Sequence, residues 1–413
     1  MPTRQRTLAE RPRPVLALAL AGALAAAAPA RAQQVPQAPP DLADTARIRF
    51  GPFYFQPWLM ITNAGLDTNV FNDFEEPKED YTFTLTPGLE GGMRAGAARL
   101  NVRLVTDYVW YRTYKSEQAV DGSTRLHFEL RGAWLRPFVS AEWTNTRSRP
   151  GYEIDARAER NTPSYEGGAD VRVASRTWIV LSLRQAKTEF LAGEVYQDIP
   201  LDRALNNQTQ TANAGLRIEV SPLTTLTIST QLQRVRFEAS TFRDNDSYAV
   251  VSTMNFSPDA LLSGRASVGY RNLQAKTVGV PDFLGVVAGV NLSWAMLSST
   301  RMGFGVDRDV AYSFEDVYPY YLQNGVNVSI TQRLVGSLEA AVQGQRAWLD
   351  YQVLENAAPR RRDQVTSYGG GIGYRFGAVV RLGLDVEQIE RRSDLPERDY
   401  RGLRVFGSLR YGQ

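Results

Sequence analysis

Cysteine is absent from this chain of 413 residues, and histidine occurs only once, as His127. The lack of cysteine excludes disulfide frameworks, thiolate zinc sites and thiol nucleophiles. A single histidine removes nearly all imidazole-based chemistry, because most general-base, triad and zinc-hydrolase designs depend on a nitrogen ligand or base. The composition therefore argues against an enzyme, and we predict no catalytic residue, no cofactor and no metal site.

Long apolar runs are also scarce. Apolar residues make up 43% of the chain, slightly below the roughly 45–50% of ordinary proteins, which argues against a helical membrane protein. One run, residues 15–28, follows four arginines and precedes a small-x-small site at residues 30–32. The alternative, a membrane anchor, needs about 20 residues. The layout predicts a signal peptide at residues 1–32, exported by the Sec route and cleaved after Ala32.

Cleavage changes the charge of the chain. The whole sequence carries 47 basic and 44 acidic side chains, a formal charge of +3. The predicted signal peptide contains five arginines and one glutamate, so the mature chain has 42 basic and 43 acidic side chains. A nearly neutral protein gives no support for nucleic acid as a partner.

The mature chain is predicted to consist of a linker and one large β-domain. Residues 33–50 form a Gln/Pro-rich periplasmic linker, and residues 51–413 carry the domain. In the domain, apolar residues alternate with polar or small ones over stretches of about ten, as in residues 212–220 and 403–411, which is the pattern of a strand with one apolar face.

Short turns alternate with longer polar loops to the end of the chain. We predict an all-β fold, a transmembrane antiparallel up-and-down β-barrel of about 18 strands (16–18), in which both termini lie on the short-turn side. The predicted strands are 53–62, 80–90, 99–113, 124–132, 136–146, 164–173, 178–189, 209–220, 223–237, 247–256, 262–273, 283–293, 301–312, 320–330, 336–349, 365–376, 379–390 and 400–411.

Three details complete the predicted barrel. The alternation slips after Leu223, which predicts either a bulge or a strand that leaves the membrane. No loop is long enough to predict a deep constriction of the aqueous lumen. Aromatic residues near the strand ends are expected to form girdles at the headgroups: Trp110, Tyr111, Tyr114, Trp143, Trp178, Trp294, Tyr312, Trp348, Tyr351 and Tyr411.

Charged residues occupy the polar face of the predicted strands, where they would line the lumen. The candidate lumen-lining residues are Arg103, His127, Glu129, Arg217, Arg265, Arg271, Arg375, Arg381, Asp385, Arg404 and Arg410. His127 allows an alternative, a histidine–serine hydrolase on the barrel wall like the outer-membrane phospholipase. That enzyme presents its catalytic pair to lipid, whereas His127 alternates with the apolar Leu126 and Phe128 and is predicted to face inward.

Two short motifs resemble the putative β-barrel porin family of bacterial outer-membrane proteins. The first is GLDTNVF at residues 65–71, in which Asp67, Asn69, Val70 and Phe71 match the family motif. The second is TLTPGL at residues 84–89. The resemblance implies location in the bacterial outer membrane, contact with outer-membrane lipid and assembly by the barrel-insertion machinery, for which we expect Tyr411 to serve as the terminal aromatic.

The family resemblance also implies a function. Similar proteins often accompany exopolysaccharide synthesis and export, so the expected function is a channel or export pore for exopolysaccharide or other polar and anionic solutes. The alternative is a non-conducting accessory or structural component of a polysaccharide secretion apparatus. In either case polysaccharide export proteins are the expected partners.

Overall fold

The computed structural model describes residues 46–297, 299–354, 359–377 and 379–412. The predicted signal peptide and its cleavage site lie outside the described residues. Eighteen long strands form the wall, and their bounds are β1 (Phe53–Asp67), β2 (Asp80–Ala95), β3 (Ala98–Tyr111), β4 (Ala119–Leu130), β5 (Leu135–Ser148), β6 (Ser164–Ala174), β7 (Thr177–Phe190), β8 (Asn207–Ser221), β9 (Thr224–Phe237), β10 (Asn245–Phe256), β11 (Leu262–Ala275), β12 (Phe283–Leu297), β13 (Thr300–Tyr312), β14 (Tyr320–Arg333), β15 (Leu338–Gln352), β16 (Arg362–Phe376), β17 (Val380–Ser393) and β18 (Tyr400–Tyr411).

The wall is a closed antiparallel barrel. Each strand pairs with the next along the chain, and β18 pairs with β1 to complete the ring. Closure matters because lipid offers no hydrogen-bond partner to an unpaired strand edge. Nine longer loops alternate with eight short turns along the wall strands. The prediction of an 18-stranded up-and-down barrel is confirmed.

The two faces of the wall differ as the alternation requires. In β7, Ile179, Leu181 and Leu183 point outward and are 39%, 47% and 69% exposed, whereas Trp178 and Ser182 occupy the alternate positions and are buried on the inner face. The strands have 11 to 16 residues, and about 9–11 tilted residues cross a bilayer. The longer strands therefore exceed the span of the membrane.

Shorter elements occur at both ends of the barrel. Ile48–Phe50, the last part of the predicted linker, pairs with Phe53–Phe55 at the short-turn end. At the long-loop end lie the strand Ala158–Asn161, the hairpin of Val195–Tyr196 with Ile199–Pro200, and the helix Leu201–Leu205. Among the described residues, no helix is long and apolar enough to span a membrane.

Of the two causes predicted for the slip after Leu223, the bulge is absent from β9. β9 pairs with β10 without a register shift, and its only shift against β8 lies between Glu219 and Ser221, in the preceding strand. The apparent slip has another cause, because Val235 and Phe237 lie on the inner face and are buried there. The inner face becomes apolar near the outer end of β9 because folded loops cover it.

The predicted aromatic girdle is only partly present. Trp143, Trp294 and Tyr411 point outward and are 53%, 47% and 48% exposed, as a girdle requires. Tyr111, Trp178 and Tyr351 are instead almost fully buried. These three stand at inward positions of their strands, and closeness to a strand end does not reveal which face a side chain occupies.

Candidate functional site

The outer mouth of the barrel, at the long-loop end, is filled by an apolar cluster. The cluster joins the loops 149–163, 191–206 and 313–319, and Tyr196 packs edge-on against Phe314 with ring centroids 5.0 Å apart. Several loops of moderate length therefore close the mouth together, which the sequence did not predict. The buried members are Ile154, Ala158, Phe190, Leu201, Ala204, Leu205 and Phe314.

A set of buried charges lies beside this apolar cluster, and we call it the mouth network. It connects the loop after β5 to the ends of β16 and β17, although β5 and β17 are six strands apart by the shorter way around the wall. The contact therefore spans the lumen. The members of the mouth network are Glu153, Asp155, Glu315, Arg361, Asp363, Arg391 and Arg398.

Arg391 is the centre of the mouth network. Its Nη1 lies 2.7 Å from Asp155 Oδ2 and donates to the carbonyl oxygens of Tyr152 and Glu153, at 3.0 and 3.2 Å. Its Nη2 donates to the Asp363 carboxylate. The side chain is 1% exposed, so a guanidinium that has lost its water is held by acceptors from both the loop and the wall.

Two further arginines complete the mouth network. Arg361 donates two hydrogen bonds of 2.7 and 3.1 Å to the Asp363 carboxylate, and its Nη1 lies 2.6 Å from Glu315 Oε1. Arg398 donates to the carbonyl oxygen of Glu153, and its Nη1 is 3.4 Å from the same Glu315 oxygen. The planar fork of arginine suits such shared carboxylates better than an ammonium would.

Glu153 differs from the other carboxylates of the mouth network because none of the described arginines binds its carboxyl group directly. The carboxyl oxygens accept hydrogen bonds from Ser313 Oγ at 2.6 Å and from the Phe314 backbone N–H at 3.2 Å. Burial raises the pKa of Glu153 to about 7. The ionisable groups that influence it most are Arg398, Glu315 and Arg361.

The structure places all the candidate lumen-lining residues on the inner face. Most arginines among them are paired with carboxylates, which reduces the free positive charge of the lumen. The pairs are Arg103–Glu90 (2.8 Å), Arg217–Asp170 (2.6 Å), Arg271–Asp309, Arg375–Glu339 (2.6 Å), Arg381–Glu339 and Arg404–Asp67 (3.0 Å). Glu129 pairs with Arg131 at 2.6 Å, and Asp385 accepts a hydrogen bond from Ser408 at 3.3 Å.

His127 also lies on the inner face, 7% exposed. Its Nδ1 is 2.6 Å from Ser140 Oγ, and its ring lies 5.7 Å from that of Phe138. Its Nε2 is buried without a hydrogen-bond partner in the described part of the chain. A hydrolytic triad needs an acidic residue to orient the imidazole, and the geometry supplies none at Nε2. The arrangement is that of a histidine packed into the wall of a lumen.

A cavity of about 440 Å³ occupies the lumen toward the short turns. Arg136 lies 4.0 Å from the centroid of the Trp178 ring, and the Trp178 indole N–H donates to Glu219 at 3.0 Å. Arg136 forms no ion pair with any described residue. Arg136 is not among the predicted lumen-lining residues and Trp178 was predicted for the girdle, although the alternation of their strands would have placed both inside. The charged residues that line the cavity are His127, Glu129, Arg131, Arg136, Asp170, Arg217, Glu219 and Arg265.

Arg410 stands apart from this cavity, at the last inward position of β18. It lies opposite Arg381 in the register of β17 and β18. No ion pair to Arg410 occurs in the described ranges. Arg136 and Arg410 are therefore inward arginines that form no ion pair with a described residue.

The family motif stabilises the seam of the barrel, where β1 pairs with β18. Asn69 donates to the carbonyl oxygens of Asp73 and Arg401, at 2.8 and 3.0 Å, and its Oδ1 accepts from the Asp73 N–H at 2.9 Å. Asp67 accepts from the Asn69 N–H at 3.0 Å and pairs with Arg404. The motif therefore ties the first loop to the last strand.

The apolar members of the motif anchor the same loop. Val70 is 1% exposed and packs with Val109 and Tyr111. Phe71 packs edge-on against Tyr114 at 4.9 Å. Asp67 and Asn69 therefore act at the seam, whereas Val70 and Phe71 anchor the first loop to β3 and to the loop that follows it.

Comparison with known families identifies the chain. Residues 43–412 match the family described as Putative beta-barrel porin 2. The chain belongs to this family. Membership places the protein among outer-membrane barrels of the porin type, a class that is typically not enzymatic. The predicted family is confirmed.

Solved structures with a similar fold include two proteins of Pseudomonas aeruginosa. OpdK with vanillate is 10% identical, with a TM-score of 0.47. OccK2 (OpdF) in complex with glucuronate is 11% identical, with a TM-score of 0.48. Each comparison covers 86% of this chain and 98% of the other chain. No curated protein matches the sequence.

Replacement of Asn69 by alanine should weaken the barrel at its seam. The change removes three hydrogen bonds of a side chain that is 1% exposed and leaves buried backbone groups unsatisfied, so we expect a loss of about 2–4 kcal/mol in the free energy of unfolding. Urea unfolding in detergent, followed by heat-modifiable gel migration, measures it. Glu75→Ala, an exposed change in the same loop, is the control, and equal stabilities of the two variants would contradict the role of the motif.

The closure of the mouth should depend on pH through Glu153. Its pKa is about 7 in the folded loop and 4.5 as an ordinary side chain, so the folded state binds the extra proton between these values. Protonation of Glu153 therefore stabilises the folded loop fully below pH 4.5, and this stabilisation is lost as the pH rises to about 7. Hydrogen exchange of residues 149–157, corrected for the intrinsic rate, should therefore be faster at pH 8 than at pH 5.

Glu153→Gln should remove most of this pH dependence, because the amide oxygen still accepts the hydrogen bonds and does not ionise in this range. Glu76→Gln, in the exposed first loop, should leave it unchanged. Identical exchange of the wild-type loop at the two pH values would show that Glu153 does not control the mouth.

Proposed function

We propose that the protein conducts small anionic, hydrophilic solutes, and that folded loops control entry at the outer mouth. The observation that carries the proposal is Arg136, an inward cation on the face of Trp178 that has no carboxylate partner among the described residues. A guanidinium with free donors recognises carboxylates and phosphates through paired hydrogen bonds.

The size and lining of the lumen cavity support a small solute. Its volume of about 440 Å³ lies within the roughly 300–1,000 Å³ of small-molecule sites. Serine, threonine and asparagine side chains add hydrogen-bonding groups for the hydroxyls of a solute. These polar residues are Ser182, Asn213, Thr225, Thr227, Ser229, Thr253 and Asn255.

Removal of the Arg136 charge should lower anion selectivity. In planar bilayers with a salt gradient, we expect the reversal potential of Arg136→Gln to shift toward that of an unselective pore, because a fixed cation in the lumen attracts anions and repels cations. Arg346→Gln is the matched control, because Arg346 is exposed on the outer face of β15. A wild-type channel that prefers cations would overturn the proposal.

A second function has its own support in the closed mouth. A barrel whose outer end is filled by apolar loops and buried ion pairs suits a non-conducting component of a polysaccharide secretion apparatus. The exopolysaccharide role that the family resemblance implies belongs to this proposal, with periplasmic export proteins as the partners.

Deletion of the gene distinguishes the two functions. If the protein is an accessory to secretion, surface polysaccharide should fall while uptake of small anions stays constant. If it is a channel for small anions, their uptake should fall and surface polysaccharide should not change. Complementation with Arg136→Gln is the control, because it should restore polysaccharide in the first case and leave uptake impaired in the second.

A further inference from the structure

The outer surface of the barrel contains a concave groove of about 1140 Å³ where a barrel wall is normally convex. The groove crosses the wall from β3 to β11. Its floor contains the small outward residues Ala141, Gly167 and Ala212, and large apolar side chains stand on either side of them. These apolar neighbours are Leu126, Phe128, Val139, Leu183, Leu232 and Tyr248.

Strand pairing shows how the groove is built. One register row runs Phe128, Val139, Gly167, Leu183, Ala212, Leu232 and Tyr248 across adjacent strands. Glycine and alanine alternate with large residues along this row, so the surface dips at their positions. Leu183 and Leu232 are 69% and 58% exposed, and the groove is open to the membrane.

On strands β8 to β11, the next register row toward the long loops is polar. Gln210 pairs in register with Arg234, Arg234 with Asp246, and Asp246 with Gln274. Leu232 and Tyr248 are the corresponding pair one row below. The apolar surface therefore ends at Arg234, which marks the level where acyl chains give way to headgroups.

The charges at this edge favour an anion. Arg236 and Lys276 share Asp246, each at 2.6 Å, and Asp244 lies 4.0 Å from Arg236. Arg234 is exposed, lines the groove and forms no hydrogen bond or ion pair with a described residue. This edge therefore has three cationic side chains and only two carboxylates. The guanidinium of Arg234, which has no partner among the described residues, lies next to the apolar groove.

We propose that this groove binds a lipid of the outer leaflet, whose acyl chains lie over Gly167 and Ala212 and whose phosphate is held by Arg234. The assignment follows from the complementarity of an apolar recess to acyl chains and of a free guanidinium to a phosphate. It is separate from the lumen, so it does not depend on whether the barrel conducts.

Native mass spectrometry of the full barrel in detergent tests the proposal. Dimyristoyl phosphatidic acid is the probe, and dimyristoylglycerol, which has the same chains and no phosphate, is the uncharged comparison. We expect the wild type to retain the phosphatidic acid about tenfold better than the diacylglycerol. Arg234→Gln should reduce this preference severalfold, and Ala212→Leu, which fills the floor of the groove, should reduce retention of both lipids.

Arg346→Gln is the matched control, because it removes an exposed outward arginine from a distant part of the wall. Heat-modifiable migration establishes that each variant is folded. Wild-type retention by both Arg234→Gln and Ala212→Leu would overturn the proposal. A dimer that Ala212→Leu dissociates would overturn it as well, because the groove would then hold a second copy of the chain.

Discussion

The fold depends on one requirement, that every backbone amide and carbonyl in the membrane has a hydrogen-bond partner. A sheet meets this requirement only if its first and last strands pair, and here β1 and β18 do so with a register shift between Ile61 and Ala64. Just beyond this shift, Thr68 exchanges hydrogen bonds of 3.0 and 2.8 Å with Leu403. Asp67, Thr68 and Asn69 thus reinforce the ring where the first and last strands of the barrel meet.

The closed barrel also explains why the strands and their inward residues could be predicted from the sequence. Because each strand must present alternate residues to lipid and lumen, a period of two is imposed locally and is visible in any ten residues of the wall. The predicted strand bounds and the inward positions of Arg217, Arg271 and Asp385 follow from this period alone. The girdle prediction was wrong for Trp178 and Tyr351 because it relied on distance from the strand end and ignored the same alternation.

The contacts that fold the loops over the outer mouth could not be predicted from the alternation of residues. Arg391 and Asp155 are 236 residues apart, and no periodic pattern connects a loop to a strand end on the far side of the lumen. Their pairing depends on how the long-loop ends of the strands converge, which is a property of the closed barrel.

The mouth network has two parts, one on the barrel wall and one on the loop after β5. Arg361 and Arg391 bind Asp363, so these charges stay paired near the outer ends of β16 and β17 whether or not the loops are docked. The loop contributes Asp155, the Glu153 carbonyl and a carboxyl group that is buried without an arginine. Since the desolvation of buried ions largely offsets their attraction, release of the loop would return Asp155 to water and leave Arg391 paired with Asp363. The charged part of the mouth therefore adds little net stability, and the apolar cluster around Ile154 and Phe314 supplies most of what holds the loops in place.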